Sequence, residues 1–292
     1  MNNLKRLNEA MNYIESNLDN EIDMKEVGRI ALCSEFHFSK MFSYLAGMHL
    51  SEYVRKRRLS LAAIDLMRTN AKVIDIAIKY NYNSADAFSR AFYKVHQILP
   101  SEVKGSEEVL KAFPKMNFEI NISGGNEMEY CIITKDEFNL IGFKKRVTIT
   151  HNGVNEEIAS MQKLLTAQSI KEIKAMSNTE PTGMLSASMN FVDRHIDGVG
   201  QMDHIIGVAS TDASDTYSTT KIDAATWAVF TVDGIFPKAL QETWANIYGQ
   251  WFPSSSYIPT GGAELTWHAK PTIPGEHYEG EIWVPVKLNE DN

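Results

Sequence analysis

Two nonapeptides, 50 residues apart, carry the same chemistry: Ser34-Glu-Phe36-His-Phe38-Ser39-Lys40-Met-Phe42 and Ser84-Ala85-Asp86-Ala-Phe88-Ser89-Arg90-Ala-Phe92 both follow S-x-x-x-F-S-[K/R]-x-F. A cation and a hydroxyl near the start of a helix can donate to guanine O6 and N7 in a major groove and to phosphate oxygens. In each copy the two phenylalanines stand four apart on one helix face. That leaves Phe36, Lys40 and Ser43, or Asp86, Arg90 and Tyr93, on the other. The run Arg55-Lys56-Arg57-Arg58 suits phosphate contacts. In Glu281-Ile-Trp283-Val-Pro-Val286, alternation puts a carboxylate and an indole on the face opposite three aliphatic side chains, a pair suited to an aromatic or cationic small molecule.

Helices must present the first set of residues. Leu4, Leu7, Met11, Ile14 and Leu18 recur at helical spacing, and Asp23 with Glu26 forms a capping box that opens a short helix to about Ala31. Each nonapeptide follows a tight turn, Ala31-Leu-Cys or Asn81-Tyr-Asn, and begins with an N-cap serine, so the pair reads as two helix-turn-helix units. The helix predicted over Ser51 to Arg68, with its stripe of Leu59, Ala62, Ala63 and Leu66, holds the units at a set separation. After Pro100 the pattern weakens into a linker with one expected strand, Phe118 to Ile122.

The period then changes. Strands are expected near 129–134, 138–149, 183–191 and 204–210 with a helix over 155–176; a second series has strands 225–232, 262–268 and 280–288 around a helix at 237–250. The fold class is therefore multidomain: an all-α double helix-turn-helix domain over 1–107, a linker over 108–127, and an α+β domain over 128–292 built from two β-α-β-β repeats.

Charge supports the division. The whole chain carries −8, but residues 1–105 carry +3 and the remainder −11, which points to an anionic polymer as partner of the first part and a neutral or cationic one for the second. The amino-terminal stretch lacks the apolar core of a signal peptide, and no run approaches the length of a membrane span, so no membrane partner is expected. Cys33 and Cys131 make no CxxC, which suits a reducing cytoplasm. There is no G-x-S-x-G and no P-loop, and the Arg194-His195-Ile-Asp197 and Asp203-His204 pair of segments lacks familiar metal-ligand spacing, so no cofactor or metal is expected.

Residues 20–104 resemble the DNA-binding domain of AraC/XylS-family transcription regulators. The motifs are Ser34 to Phe42, then Tyr53 with Arg58-Leu59 and Ala62, then Ser84 to Phe92 ahead of Pro100. The resemblance implies that Phe36, Ser39 and Lys40, and Ala85, Asp86, Ser89 and Arg90, fall at base- or backbone-contacting positions. Asn81 and Gln97 stand where the family usually has glycine. Residues 128–288 are similar to the GyrI-like effector-binding domain of BmrR-type and Rob-like regulators, through Met128-Glu-Tyr, Ile141-Gly142 and the closing Glu281 to Val286. That resemblance implies a pocket with Glu281 as its charge beside Trp283, and with Phe191, Trp227, Trp244, Tyr248, Glu264 and Trp267 as further candidates.

Together these readings describe a regulator that binds double-stranded DNA, senses a small lipophilic or cationic effector and acts with RNA polymerase. Two rivals use the same residues: a GyrI-like hydrolase whose pocket glutamate is a general base, and a sequestering binder that regulates only its own gene.

Overall fold

The computed structural model describes residues 2–104, 110–119, 128–149, 155–192, 200–270 and 273–289. Six helices open the chain: α1 (Asn2–Ser16), α2 (Met24–Ala31), α3 (Glu35–Ala46), α4 (Leu50–Arg68), α5 (Val73–Lys79) and α6 (Ala85–His96). Their starts follow the caps in the sequence. Asp23 accepts from the backbone of Lys25, Ser34 from His37 and Ser84 from Ala87. Asn81 (φ 65°) and Gln97 (φ 62°) both adopt the left-handed backbone that glycine usually supplies, so the two departures from the family pattern leave the turns intact.

The two helix-turn-helix units have separate cores joined by α4. Phe38 and Phe42 pack with Leu7, Met11, Ile14 and Val27 in the first, whereas Phe88 and Phe92 pack with Leu59, Ala62, Ile76 and Ala77 in the second. α4 contributes Tyr53 and Val54 to one and Leu59 to Leu66 to the other. The basic run on α4 is mostly structural, contrary to the phosphate-contact expectation. Arg58 is buried and donates to the carbonyls of Leu18 and Asn20, Arg57 pairs with Glu15 at 2.7 Å, and Lys56 pairs with Glu52 at 2.7 Å, leaving Arg55 exposed.

Residues 110–119 form no strand; they run as a strap along the helical domain. Backbone groups of Phe113, Met116 and Phe118 donate to Ser60, the Tyr53 hydroxyl and Asn8, and Phe118 packs edge-on against Phe42. The expected strand beyond residue 119 lies outside the described residues, as do Arg194, His195 and Asp197.

The carboxyl-terminal half is one antiparallel sheet: β1 (Tyr130–Lys135), β2 (Phe138–Thr148), β3 (Leu185–Val192), β4 (Gln201–Ser210), β5 (Ser218–Ile222), β6 (Ala225–Ile235), β7 (Tyr257–Pro259), β8 (Glu264–His268) and β9 (His277–Leu288). The order is β1-β6-β9-β8-β3-β4-β2-β5, with β7 on β9. Its centre is palindromic: β6-β9-β8 of the second repeat meets β3-β4-β2 of the first, as a pseudo-twofold requires. Gly142 and Gly207 face each other across β2 and β4, where a Cβ on Gly142 would collide with the Ile206 carbonyl. The expected first helix is divided into α7 (Glu156–Met161) and α8 (Ala167–Ala175), which cover Ile141, Ile206 and Val208. The second, α9 (Lys238–Asn246), runs into a π-helical turn, Ile247–Trp251, over β6 and β9.

The halves are packed together. One apolar cluster runs from Leu7 and Met11 of α1 through to Ile247, Phe252 and Ile282, and the Asn3 amide donates to the carbonyls of Phe252 and Ser255 at 3.0 Å each.

Candidate functional site

α3 packs Phe38 and Phe42 into its own domain, and its opposite face meets the carboxyl-terminal domain. Phe36 is only 6% exposed and stacks on Phe191 of β3, with centroids 3.9 Å apart and planes 5° from parallel. Ser39 is buried too. One turn on from Phe36, Lys40 extends its ammonium to Glu264 of β8, with Nζ 2.7 Å from Oε2. The same ammonium lies 4.0 Å from the Trp244 ring centroid, 4.3 Å from Tyr248 and 5.6 Å from Phe36. It is a cation in an aromatic cage with a carboxylate at the back.

Glu264 is 5% exposed, and its carboxylate is held by polar groups from three side chains, Lys40, His37 and Tyr248. Its Oε1 accepts from the Tyr248 hydroxyl, and His37 Nε2 lies 3.3 Å away. Burial alone would raise its pKa, but Lys40's charge, with His37's hydrogen bond and charge, more than offsets this and holds the carboxyl at about 2. Burial pulls Lys40 below the usual ammonium range, and pushes Tyr44, beside this carboxylate, up to about 12.

A cavity of about 240 Å³ opens beside the ion pair. Phe36, Lys40, Ser43 and Tyr44 of α3 form one wall, Trp244 of α9 another, and Ser186, Ser188, Phe191, Met202, His204, Glu264 and Thr266 of β3, β4 and β8 the floor. Burial pushes His204 down to about 4, so it is neutral near pH 7. Its Nδ1 lies 3.0 Å from the Ser188 hydroxyl, while Nε2 has no partner among the described residues.

Of the effector candidates named from sequence, Phe191, Trp244, Tyr248 and Glu264 converge here. Glu281, Trp283, Trp227 and Trp267 do not. Strand register explains the division: Trp283 pairs with Leu265 and Glu281 with Trp267, whereas Ile282 pairs with Thr266, so Glu264 and Thr266 share the aliphatic face of β9 and Glu281 lies across the sheet from them. Alternation separates the faces correctly, but the pocket lies on the helix-covered one. Glu281 instead accepts from Trp283 Nε1 at 2.7 Å, Trp227 and Trp283 are packed in the core of the opposite face, and Trp267 Nε1 donates to the Thr182 carbonyl.

The two DNA-reading faces are in different states. On α6, Asp86 and Arg90 are exposed, as is half of Tyr93, with Ala85 and Ser89 part-buried beside them. On α3, Phe36, Ser39, Lys40 and Ser43 face protein, which overturns the expectation of an open face there. The sequence reading missed His37, Tyr44, Ser186, Ser188, Met202 and Thr266, and took His204 only as part of a rejected metal-ligand segment, whereas it is buried in the cavity floor. One signal was available: Ser186 and Ser188 flank buried Ala187, placing two small hydroxyls on one face of a core strand.

Among the described residues, Asp233, His277 and Glu279 come close enough to share a metal ion, but all three are exposed, with His277 Nε2 3.7 Å from Asp233 and 3.4 Å from Glu279, as exposed polar groups commonly are without one. Asp203 is engaged by Lys144 at 3.2 Å and Arg146 at 3.0 Å on the opposite side of β4 from His204. No helix of the described residues is long and apolar enough to cross a membrane.

Comparison with known proteins bears on both halves. Residues 27–106 match the helix-turn-helix domain family, and residues 128–287 the GyrI-like small molecule binding domain. YbfP of Bacillus subtilis, an HTH-type transcriptional regulator, is 36% identical over 96 residues, 33% of this chain but only 32% of that one. The right origin-binding protein of Escherichia coli K12 is 24% identical across 87% of this chain and 86% of its own. A solved structure of a protein bound to tetraphenylphosphonium covers 55% of this chain and 94% of that one at 22% identity, with a TM-score of 0.45. The carboxyl-terminal match takes in more than half of the residues, so the chain belongs to the GyrI-like small-molecule-binding family, with an AraC-type helix-turn-helix domain ahead of it.

Proposed function

We propose that this helix-turn-helix regulator senses a lipophilic organic cation held by Glu264, with Phe191, Trp244 and Tyr248 as aromatic walls. The observation that carries the reading is the site's present content: a buried carboxylate inside an aromatic cage already holds one cation. Water-poor surroundings strengthen attraction for a second-party charge, and the ring faces add about 0.5 to 2 kcal/mol for each well-placed cation–π contact. His204 Nε2 and the Ser186 and Ser188 hydroxyls offer polar partners on the floor. With Lys40 seated, its charge and His37 hold the carboxyl well below the usual carboxylate range, so in this state Glu264 is a counter-charge and a poor general base. In this reading the protein works in the cytoplasm, at promoters, together with RNA polymerase.

The test is calorimetric titration with tetraphenylphosphonium and with neutral triphenylphosphine oxide. Glu264→Gln should weaken the cation at least tenfold and leave the neutral compound within twofold; equal losses for both would remove the counter-charge role. Steady product formation from ester probes, abolished by Glu264→Gln, would install the hydrolase instead.

A further inference from the structure

The cation in the cage belongs to the helix that should read DNA. Lys40 and Phe36 are the outward cation and aromatic of the first nonapeptide, and here they contact Glu264 and Phe191. The same α3 face cannot lie in a major groove and line this cavity at once. We propose that the pocket and the DNA-reading face of α3 form one site with two alternative occupants: Lys40 in the closed molecule, and an organic cation of similar reach that takes Glu264 and releases α3 for DNA. This rests on the reading of Glu264 as the effector's counter-charge and adds what that reading lacks, a route from ligand to DNA.

The energetics suit a switch. A buried ion pair gains little net free energy, because desolvating both charges nearly cancels their attraction. Lys40 is therefore displaceable by a ligand that brings its own charge on a weakly hydrated apolar body. Losing one partner without replacement is costly, however, so an empty cage holding a bare Glu264 is disfavoured and the site stays occupied by one cation or the other. The closed state also has the Phe36–Phe191 stack and the continuous core at α1, so the ligand biases an equilibrium between two packings rather than separating loose domains. The second unit needs no release: Arg90 and Tyr93 of α6 are already exposed.

Full-length protein is used for two measurements. In the first, tetraphenylphosphonium is titrated into wild type and Lys40→Met. Removing the internal competitor should tighten the cation by about tenfold, within the 5- to 150-fold range of a 1 to 3 kcal/mol coupling, while triphenylphosphine oxide gains little. Equal cation affinity in the two proteins overturns the shared-site proposal and leaves the Glu264 reading standing. Binding to neither overturns both. In the second, which needs no ligand, amide exchange in α3 is compared between wild type and Glu264→Gln. The variant should exchange about tenfold faster across 36–44 with α6 unchanged, α6 serving as the check that the fold is kept; unchanged α3 protection overturns the proposal, as does equal acceleration in α6.

Discussion

Arg90 and Lys40 occupy the same position in the repeat and have opposite fates, so substitutions at the two should differ in kind. Arg90 is exposed on α6. Arg90→Ala should weaken specific duplex binding by about 1 to 3 kcal/mol with or without effector, and flatten discrimination at one base position, as measured by anisotropy on operator variants. Glu264 makes a pH statement as well. Its folded pKa, about 2, lies below the ordinary 4.5, so its stabilisation is complete above that value and is lost as pH falls through about 2. Lys40, His37, Tyr248 and Tyr44 are the titratable groups around it. Wild type should therefore melt higher than Glu264→Gln from pH 5 to 7, with the gap closing between pH 4 and 2.

At the scale of elements, the turn before α6 and the strap after it carry the informative departures. Asn81 takes φ 65° where glycine would be unstrained. Asn81→Ala should cost about 1 kcal/mol in urea unfolding, because a Cβ without a compensating polar side chain disfavours that backbone. Asn81→Gly should stay within about 0.5 kcal/mol, since relief of strain and added unfolded-state entropy oppose each other. The strap extends the contacts of the helical domain past residue 107. Residues 113, 116 and 118 satisfy Ser60, Tyr53 and Asn8 while Phe118 covers Phe42, so a fragment ending at 119 should melt several degrees above one ending at 107.

For the whole molecule, linkage makes the ligand–DNA relation reciprocal. If tetraphenylphosphonium raises affinity for a duplex by some factor, saturating duplex must raise affinity for the cation by the same factor. Titrations in both orders should agree, with both effects lost in Glu264→Gln. The charge division adds a salt signature: helical contacts to phosphate weaken as salt rises, whereas cation binding in the screened, buried cage should change little between 50 and 300 mM salt.

Local pattern was sufficient for the caps at Asp23, Ser34 and Ser84, the inward Phe38, Phe42, Phe88 and Phe92, the bridging α4 and the doubled β-α-β-β order, because each depends on spacing within one element or on repetition along the chain. Alternation in β9 likewise separated Ile282 from Glu281. The aliphatic face is the helix-covered one, as alternation implies; what alternation could not state was that the cavity opens on that same face, since this depends on the β8–β9 register, which places Thr266 opposite Ile282 and so sends Glu264 to the covered side. The expectation for Glu281 failed there. Lys40 shows the same limit: an outward cation on a short helix has one chemistry and two possible partners, a phosphate-lined groove or a buried carboxylate 224 residues away. Tertiary packing chose the carboxylate, because only the folded sheet brings Glu264 and its aromatic neighbours within reach of α3.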